Sequence, residues 1–301
     1  MKKFLLKVIL FLGLCGLFFV LFIAVRIFSV RSFKYEISEN VNVLFVGDSR
    51  FRTGVEDKSY PHILNVSADA DNYMTAYLRI KFILSSDNSV KTIFIVFSPD
   101  IMGENADERL FADYLMAGKV PQYFPLYSLK EWETYFSHSS KKLLHNVAGR
   151  PFRLVDGVWS QSKFCENLGS FRASTGKNLK SSIDKVQNSE RKDKPPSVFY
   201  GNNVSMVYLN KIREYCRERN IRLIGIAVPH YLAGSVFNLE RYHKALRDDF
   251  PDLEVWDYLE MRFPEDCWQD VNHLNCWGAE IFTKELCARM RKEGIWAEAR
   301  F

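Results

Sequence analysis

The sequence predicts an α/β domain built on a parallel sheet and carried behind one membrane-spanning helix. Three observations lead to this reading. Residues Val8 to Val25 form an apolar run without a charged residue. Further on, short continuous apolar runs alternate with segments of helical periodicity. A Gly47-Asp48-Ser49 turn closes the first of those runs, and Asp270-Val271-Asn272-His273 stands near the far end of the chain.

At 1.5 Å per residue the first run covers roughly 30 Å of hydrocarbon. It continues into Val25-Arg26-Ile27-Phe28 with no A-x-A-like site, which reads as an uncleaved signal-anchor rather than a removed signal peptide. Cys15 does not mark a lipid attachment, because Leu14 stands where a small residue is needed. Lys2, Lys3 and Lys7 on one side of the span face Arg26, Arg31 and Lys34 on the other, so the charge rule by itself does not choose an orientation. The amino terminus adds a positive charge to the first cluster, which favours an extracytoplasmic body. These six side chains exceed the whole formal charge of +5 and leave −1 for the remainder. The basic excess is a membrane flank and does not point to nucleic acid. The lipid bilayer is the partner it implies.

The anchor occupies residues 1–34, and about 270 residues follow, enough for one large domain or a domain with an insertion. Val43–Val46, Ile93–Phe97 and Leu223–Val228 are continuous rather than alternating, as in strands buried on both faces. Buried strands alternating with helices imply a parallel sheet. From Gly103 to Ser197 the strand pattern stops and aromatics gather at Tyr123, Phe124, Tyr127, Trp132, Tyr135 and Phe136. This segment, about 103–197, reads as an insertion over the sheet's edge, its aromatics forming local core or else a substrate lid. Ser174 through Lys194, with Pro195-Pro196 after it, reads as an exposed loop or linker. A helix after Asn202-Asn203 places Leu209, Ile212 and Cys216 on one face and ends near Asn220. A last helix, capped by Asn275, stacks Ala279, Phe282, Leu286 and Met290 before Gly294.

A serine hydroxyl is a weak nucleophile at neutral pH and needs a base within hydrogen-bond reach, itself oriented by a third group. Ser49, His273 and Asp270 are the residues that supply nucleophile, base and orienting carboxylate. Ser49 follows a strand, and in open α/β sheets ligands sit beyond the carboxyl ends of the strands. Gly47 fits a sharp turn there, and Asp48 shapes that turn rather than moving a proton. The competing reading is plain: Gly-Asp-Ser is ordinary turn composition, and an Asp three residues before a His arises often by chance. What favours chemistry is the order of the pieces, a strand before the serine and a capped helix after the histidine. His230, in Val228-Pro229-His230, ends another strand on the same rim. It reads as a substrate contact, a competing base or a surface loop residue. His62, His138, His145 and His243 show no metal-ligand spacing, no Gly-rich phosphate loop is present, and no cofactor is implied. Outside the span the cysteines are Cys165, Cys216, Cys267, Cys276 and Cys287, without a paired C-x-x-C. Cys267 and Cys276 either bridge in an oxidising compartment or remain thiols, with Cys276 and Cys287 packing as small hydrophobes.

Gly47-Asp48-Ser49 with Asp270-Val271-Asn272-His273 resembles the first and last blocks of the SGNH (GDSL-type) hydrolase superfamily. Asp270-Val271-Asn272-His273-Leu274-Asn275, followed by Gly278-Ala279 and Phe282-Thr283, is similar to the branch that holds alginate O-acetyltransferase-like proteins and membrane-anchored D-alanyl transfer proteins. The resemblance implies a flavodoxin-like three-layer fold for residues 35–301 and acyl transfer or ester hydrolysis on a cell-envelope glycan. It also implies a multispanning membrane partner that delivers an activated acyl group. Two departures stand out, because an acyl enzyme needs donors aimed at the developing oxyanion. The second block reads Asn65-Val66-Ser67-Ala68-Asp69-Ala70-Asp71-Asn72 and lacks the family's glycine. The third reads Phe97-Ser98-Pro99-Asp100 and lacks its asparagine. The remaining oxyanion donors are the Ser49 amide, an amide of Ala68 or Ala70, the Asn72 side chain and Ser98. The departures keep open a second reading, a catalytically idle SGNH-like domain that binds glycan or scaffolds an assembly complex.

Overall fold

The apolar run Val43-Leu44-Phe45-Val46 has all four side chains fully buried, which a strand achieves only inside a sheet covered on both faces. A computed structural model describes residues 1–86, 89–102, 106–148, 168–188 and 203–295. In chain order the elements are α1 (Lys2–Ser32), β1 (Val43–Val46), α2 (Ser49–Gly54), β2 (Ile63–Asn65), α3 (Tyr73–Ile83) and β3 (Thr92–Val96). They continue with α4 (Asp113–Tyr123), α5 (Leu129–Ala148), α6 (Leu179–Gln187), α7 (Val204–Glu218) and β4 (Arg222–Ala227). The chain closes with α8 (Leu239–Asp248), β5 (Glu254–Asp257) and α9 (Cys276–Lys292).

The five strands form one parallel sheet in the order β2-β1-β3-β4-β5. This is the flavodoxin-like doubly wound order, whose crevice opens where β1 and β3 leave in opposite directions. Successive side chains on a strand point to opposite faces. Val43, Phe45, Phe94, Val96, Ile224, Ile226 and Trp256 gather on one face with Phe51 of α2 and Phe282, Leu286 and Met290 of α9. The alternate residues Leu44, Val46, Ile93 and Ile95 are equally buried, beneath the layer in which α3 packs on α7.

Both expected helices are present and capped. Asn203 accepts from the Met206 amide at 2.8 Å to start α7, and Asn220 (φ 55°) follows its end. Asn275 caps α9, which Gly294 (φ 67°) terminates. β2 and β5 add two strands that the apolar pattern does not announce. Each lies at an edge of the sheet, β2 being only three residues long and β5 beginning and ending in carboxylates. One expectation is overturned: within the polar stretch read as loop, Leu179–Gln187 is helix α6. Leu179, Ile183 and Val186 recur at helical spacing and pack against the main core, so three apolar residues suffice to seat one face.

The chain divides into two compact units, Met1–Tyr35 with Phe111–Asn167, and Glu36–Leu110 with Leu168–Phe301. In the first unit Tyr123, Phe124, Tyr127 and Tyr135 are buried, as is Val30 near the end of α1. These four aromatics therefore form local core, whereas Phe136 is 49% exposed. Gly103, Cys165, Pro195-Pro196 and Asn202 lie outside the described residues.

In the second unit a fully buried guanidinium fixes the loop ahead of α3: Arg79 donates to the Val66 carbonyl and pairs with Asp71, each at 2.6 Å. Deleting it strands a buried carboxylate. Arg79→Ala is expected to cost roughly 3–5 kcal/mol, read as a lowered denaturation midpoint of the full chain in detergent.

Candidate active site

The position of Ser49 is set by close packing at the end of β1. A Cβ on Gly47 would fall 2.4 Å from Val96 Cγ2 and 2.9 Å from Phe51 Cδ2, so glycine is required there by space. Its backbone is not left-handed; among the described glycines only Gly169 and Gly294 have positive φ. The sharp turn expected of Gly47 is thus a close approach. Asp48 then caps α2 by accepting from the Arg50 amide at 2.9 Å, as an N-cap aspartate does. Ser49 is the first helical residue, and its own amide has no intrahelical acceptor.

The partner loop is organised by one carboxylate. Asp270 Oδ1 accepts from the amides of Asn272 (2.8 Å) and His273 (3.0 Å), closing a tight turn. The same oxygen accepts from His273 Nδ1 at 2.8 Å, and Oδ2 lies 2.9 Å from that nitrogen. This is the physical use of the Asp-x-x-His spacing: one side chain both builds the turn and orients the ring. Burial alone would raise the Asp270 pKa. Hydrogen bonding and charge from His273, with the two amides, more than offset it and hold the carboxyl below its ordinary value. The loop is held from outside by Cys276 N to Ser174 O (2.7 Å), Asn178 N to Gln269 O (2.7 Å) and Val271 N to Ser182 Oγ (3.2 Å). Nothing in the polar composition of residues 174–182 signals this role.

Ser49 Oγ and His273 Nε2 stand 2.7 Å apart. With Nδ1 donating to Asp270, Nε2 is the acceptor for the serine proton. Serine, histidine and aspartate are thereby connected in the order that nucleophilic acyl chemistry uses.

Beneath the serine lies a charged pair that the motifs do not reveal. Arg50 is 8% exposed. Its Nη2 donates to Asp48 at 2.6 Å and its Nη1 to Asp100 at 2.7 Å. Burial pushes the Arg50 pKa down, but Asp100 and Asp48 outweigh it and hold the group charged. A basic residue directly between Ser49 and the core residue Phe51 was the available signal. His230 is buried beside this pair. Its Nδ1 accepts from the Leu232 amide at 3.1 Å, so Nε2 carries the proton. Burial lowers its pKa to about 4, Asp100 opposing and Arg50 reinforcing the shift. His230 is therefore a neutral ring with one nitrogen committed to the backbone, and the next residue ties this strand end to the Asp270 loop through Tyr231 N to Val271 O at 3.0 Å.

The oxyanion candidates are more dispersed. The Ala68 amide is committed to the Gly47 carbonyl at 3.0 Å. Asn72 caps α3 through Oδ1, accepting from the Thr75 amide at 3.0 Å. Ser98 Oγ is fully buried and accepts from the Val228 amide at 3.4 Å. Ala70 adopts a left-handed conformation, φ 51°, uncommon for a residue with a Cβ. Among the described residues Ser49 Oγ is bonded to His273 and to none of these four. Gly169 (φ 128°) lies so close beneath this block that a Cβ would be 2.3 Å from the Val66 carbonyl oxygen.

Cys267 and Cys276 are both free thiols, as are Cys216 and Cys287. Among the described residues no group of three or more His, Cys, Asp or Glu side chains is arranged to hold a metal ion. No protein-family model matches the sequence, and no curated protein matches it.

The depressed pKa of His230 makes stability pH-dependent with a definite sign. An unfolded histidine binds protons below about 6.5, while the folded ring resists them until about 4. The unfolded state thus carries more protons in that window, and stability falls as pH drops from 6.5 to 4. The loss is on the order of 3 kcal/mol over the window. His230→Gln is expected to remove most of this slope, measured as urea midpoints. Asp270, held below its ordinary value, costs stability only from about pH 5 downward, so the His230 slope is read between about pH 6.5 and about pH 5.

Proposed function

We propose that this chain is a membrane-anchored serine acyl enzyme, an O-acyltransferase or esterase acting on a cell-envelope glycan through Ser49. The observation that carries the reading is the 2.7 Å contact between Ser49 Oγ and His273 Nε2, with Asp270 on the far nitrogen. A flexible surface serine does not meet an imidazole so oriented by accident of composition.

The chemistry follows from that arrangement. His273 Nε2 takes the hydroxyl proton as Ser49 Oγ attacks the acyl carbonyl, and the tetrahedral oxyanion draws on the Ser49 amide, with the Ala70 amide or the Asn72 side-chain NH2 as the second donor. The imidazolium returns its proton to the departing group as the carbon–leaving-group bond breaks, leaving acyl-Ser49. An incoming hydroxyl then loses its proton to His273 and attacks the ester, freeing Ser49. Water as acceptor makes an esterase and a glycan hydroxyl makes a transferase, since both share one triad. The glycan, the extracytoplasmic orientation and a multispanning acyl-donor partner rest on the resemblance of the two motif blocks to the SGNH superfamily.

A second reading is favoured by one observation. The Ala68 amide is already committed to the Gly47 carbonyl, which takes one oxyanion donor away and favours an idle domain that binds glycan or scaffolds a complex.

A fluorophosphonate probe separates the two. The active enzyme is expected to be labelled on Ser49, identified by peptide mass spectrometry, and to hydrolyse a short aryl acetate. Ser49→Ala should abolish labelling and lower kcat by at least ~10³-fold, with Asp270→Asn losing ~10²–10⁴-fold. Equal rates and no label in parent and Ser49→Ala would leave the idle domain as the answer.

A further inference from the structure

We infer that α4 and the start of α5 form a membrane-surface element lying in the lipid headgroup layer where α1 leaves the bilayer. The inference rests on the reading of α1 as a membrane span. Helix α1 runs 31 residues, and its best 18-residue window has a mean hydropathy of 3.1 with none of it buried in protein. The apolar run ends at Val25, so Arg26 marks the edge of the hydrocarbon.

Arg26 does not simply reach for headgroups, as a flanking arginine would. It is 7% exposed, its Nη2 donates to the Pro121 carbonyl at 3.0 Å, and its guanidinium lies 5.0 Å from the centre of the Phe124 ring. Five residues on, Arg31 donates through Nε to Pro125 O and through Nη2 to Tyr127 O, each at 2.8 Å. The segment Pro121–Tyr127 therefore runs beside the last two turns of α1. Those turns rise about 7–8 Å beyond Arg26, which is close to the thickness of one headgroup layer. The span thus fixes the depth of the segment. Pro121 lies at the hydrocarbon edge and Tyr127 toward the outer limit of the interface.

The residues around this clasp suit that depth. Leu129, two residues past Tyr127 and so within about 7 Å of it, is 88% exposed. Tyr114, about 10 Å along α4 from Pro121, is 72% exposed. Lys130 is exposed beside Leu129. The exposed acids Asp113 and Glu133 flank these positions, so the contact with lipid rests on Tyr114 and Leu129, tyrosine being a residue that concentrates at the headgroup level. The occupant of this face is the phospholipid surface, by continuity with the span that holds it there.

A photo-crosslinking amino acid placed singly at Phe18, Tyr114, Leu129 or the buried Met116 tests this in the full chain, reconstituted in phosphatidylethanolamine–phosphatidylglycerol nanodiscs. The expected result is lipid adducts by mass spectrometry at 18, 114 and 129, and none at 116. Adducts at 18 without those at 114 and 129, or protein adducts in their place, overturn the surface element while leaving the span intact. Loss of the adduct at 18 overturns the span itself. Replacing both arginines (Arg26→Gln with Arg31→Gln) should reduce the yield at 129 several-fold and leave 18 unchanged. An unchanged yield at 129 overturns the clasp as the device that sets depth.

Discussion

One buried charge organises the centre of the sheet's carboxyl edge. Arg50 follows the nucleophile directly and is almost fully withdrawn from water. A guanidinium in that position is tolerated only when its donors are satisfied and its charge is balanced. Asp48, at the end of β1, and Asp100, beyond the end of β3, meet both demands. The two strand ends that frame the doubly wound crevice are thereby tied to the residue next to Ser49. Gly47 lets the chain pass close enough to Val96 for this to happen, and Asp48 uses its second function, as helix cap, to start α2 on the serine. Ser49 is placed by electrostatics and space together.

The opposite half of the triad is placed by hydrogen bonds rather than by burial. Asp270 folds its own turn, and Asn275 closes the loop by donating to the Asp266 carbonyl at 2.6 Å and capping α9. Residues 174–182 then bond to the loop at Gln269, Val271 and Cys276. A loop so fastened needs no bridge between Cys267 and Cys276, and both are thiols. Across the crevice, the residue 168–172 segment bonds to Ser67 and Arg52. One stretch of chain thus braces the second block and the catalytic loop at once.

The legible parts of the sequence were those governed by local physics. Continuous apolar runs gave β1, β3 and β4 because burial on both faces leaves no polar alternation to hide them, and Asn203 and Asn275 marked helix starts because a cap is a one-residue signal. β2 and β5 escaped because a three-residue edge strand and one bounded by Glu254 and Asp257 carry no run to read. α6 escaped because a polar helix needs only Leu179, Ile183 and Val186 on its inner face. At the site, the motifs named Ser49, Asp270 and His273, and the structure places them within hydrogen-bond reach of one another. Arg50 and Asp100 are fifty residues apart and meet only through sheet topology, which no spacing rule encodes. Gly47 was assigned the right place with the wrong cause, since its backbone is ordinary and its missing Cβ is what matters.

Two histidines stand by consecutive residues, His273 at Ser49 and His230 near Arg50, and their surroundings differ. His273 faces a carboxylate on one nitrogen and a hydroxyl on the other. His230 is buried, sits near Arg50 and already accepts from the Leu232 amide at Nδ1. Gaining a second proton would place a cation near the Arg50 guanidinium in a buried site, and burial, reinforced by Arg50, pushes its pKa down to about 4. The competing-base reading of His230 therefore fails on physical grounds. Here His273 turns an acceptor nitrogen to the Ser49 hydroxyl, while His230 is held neutral with its Nδ1 turned to the backbone.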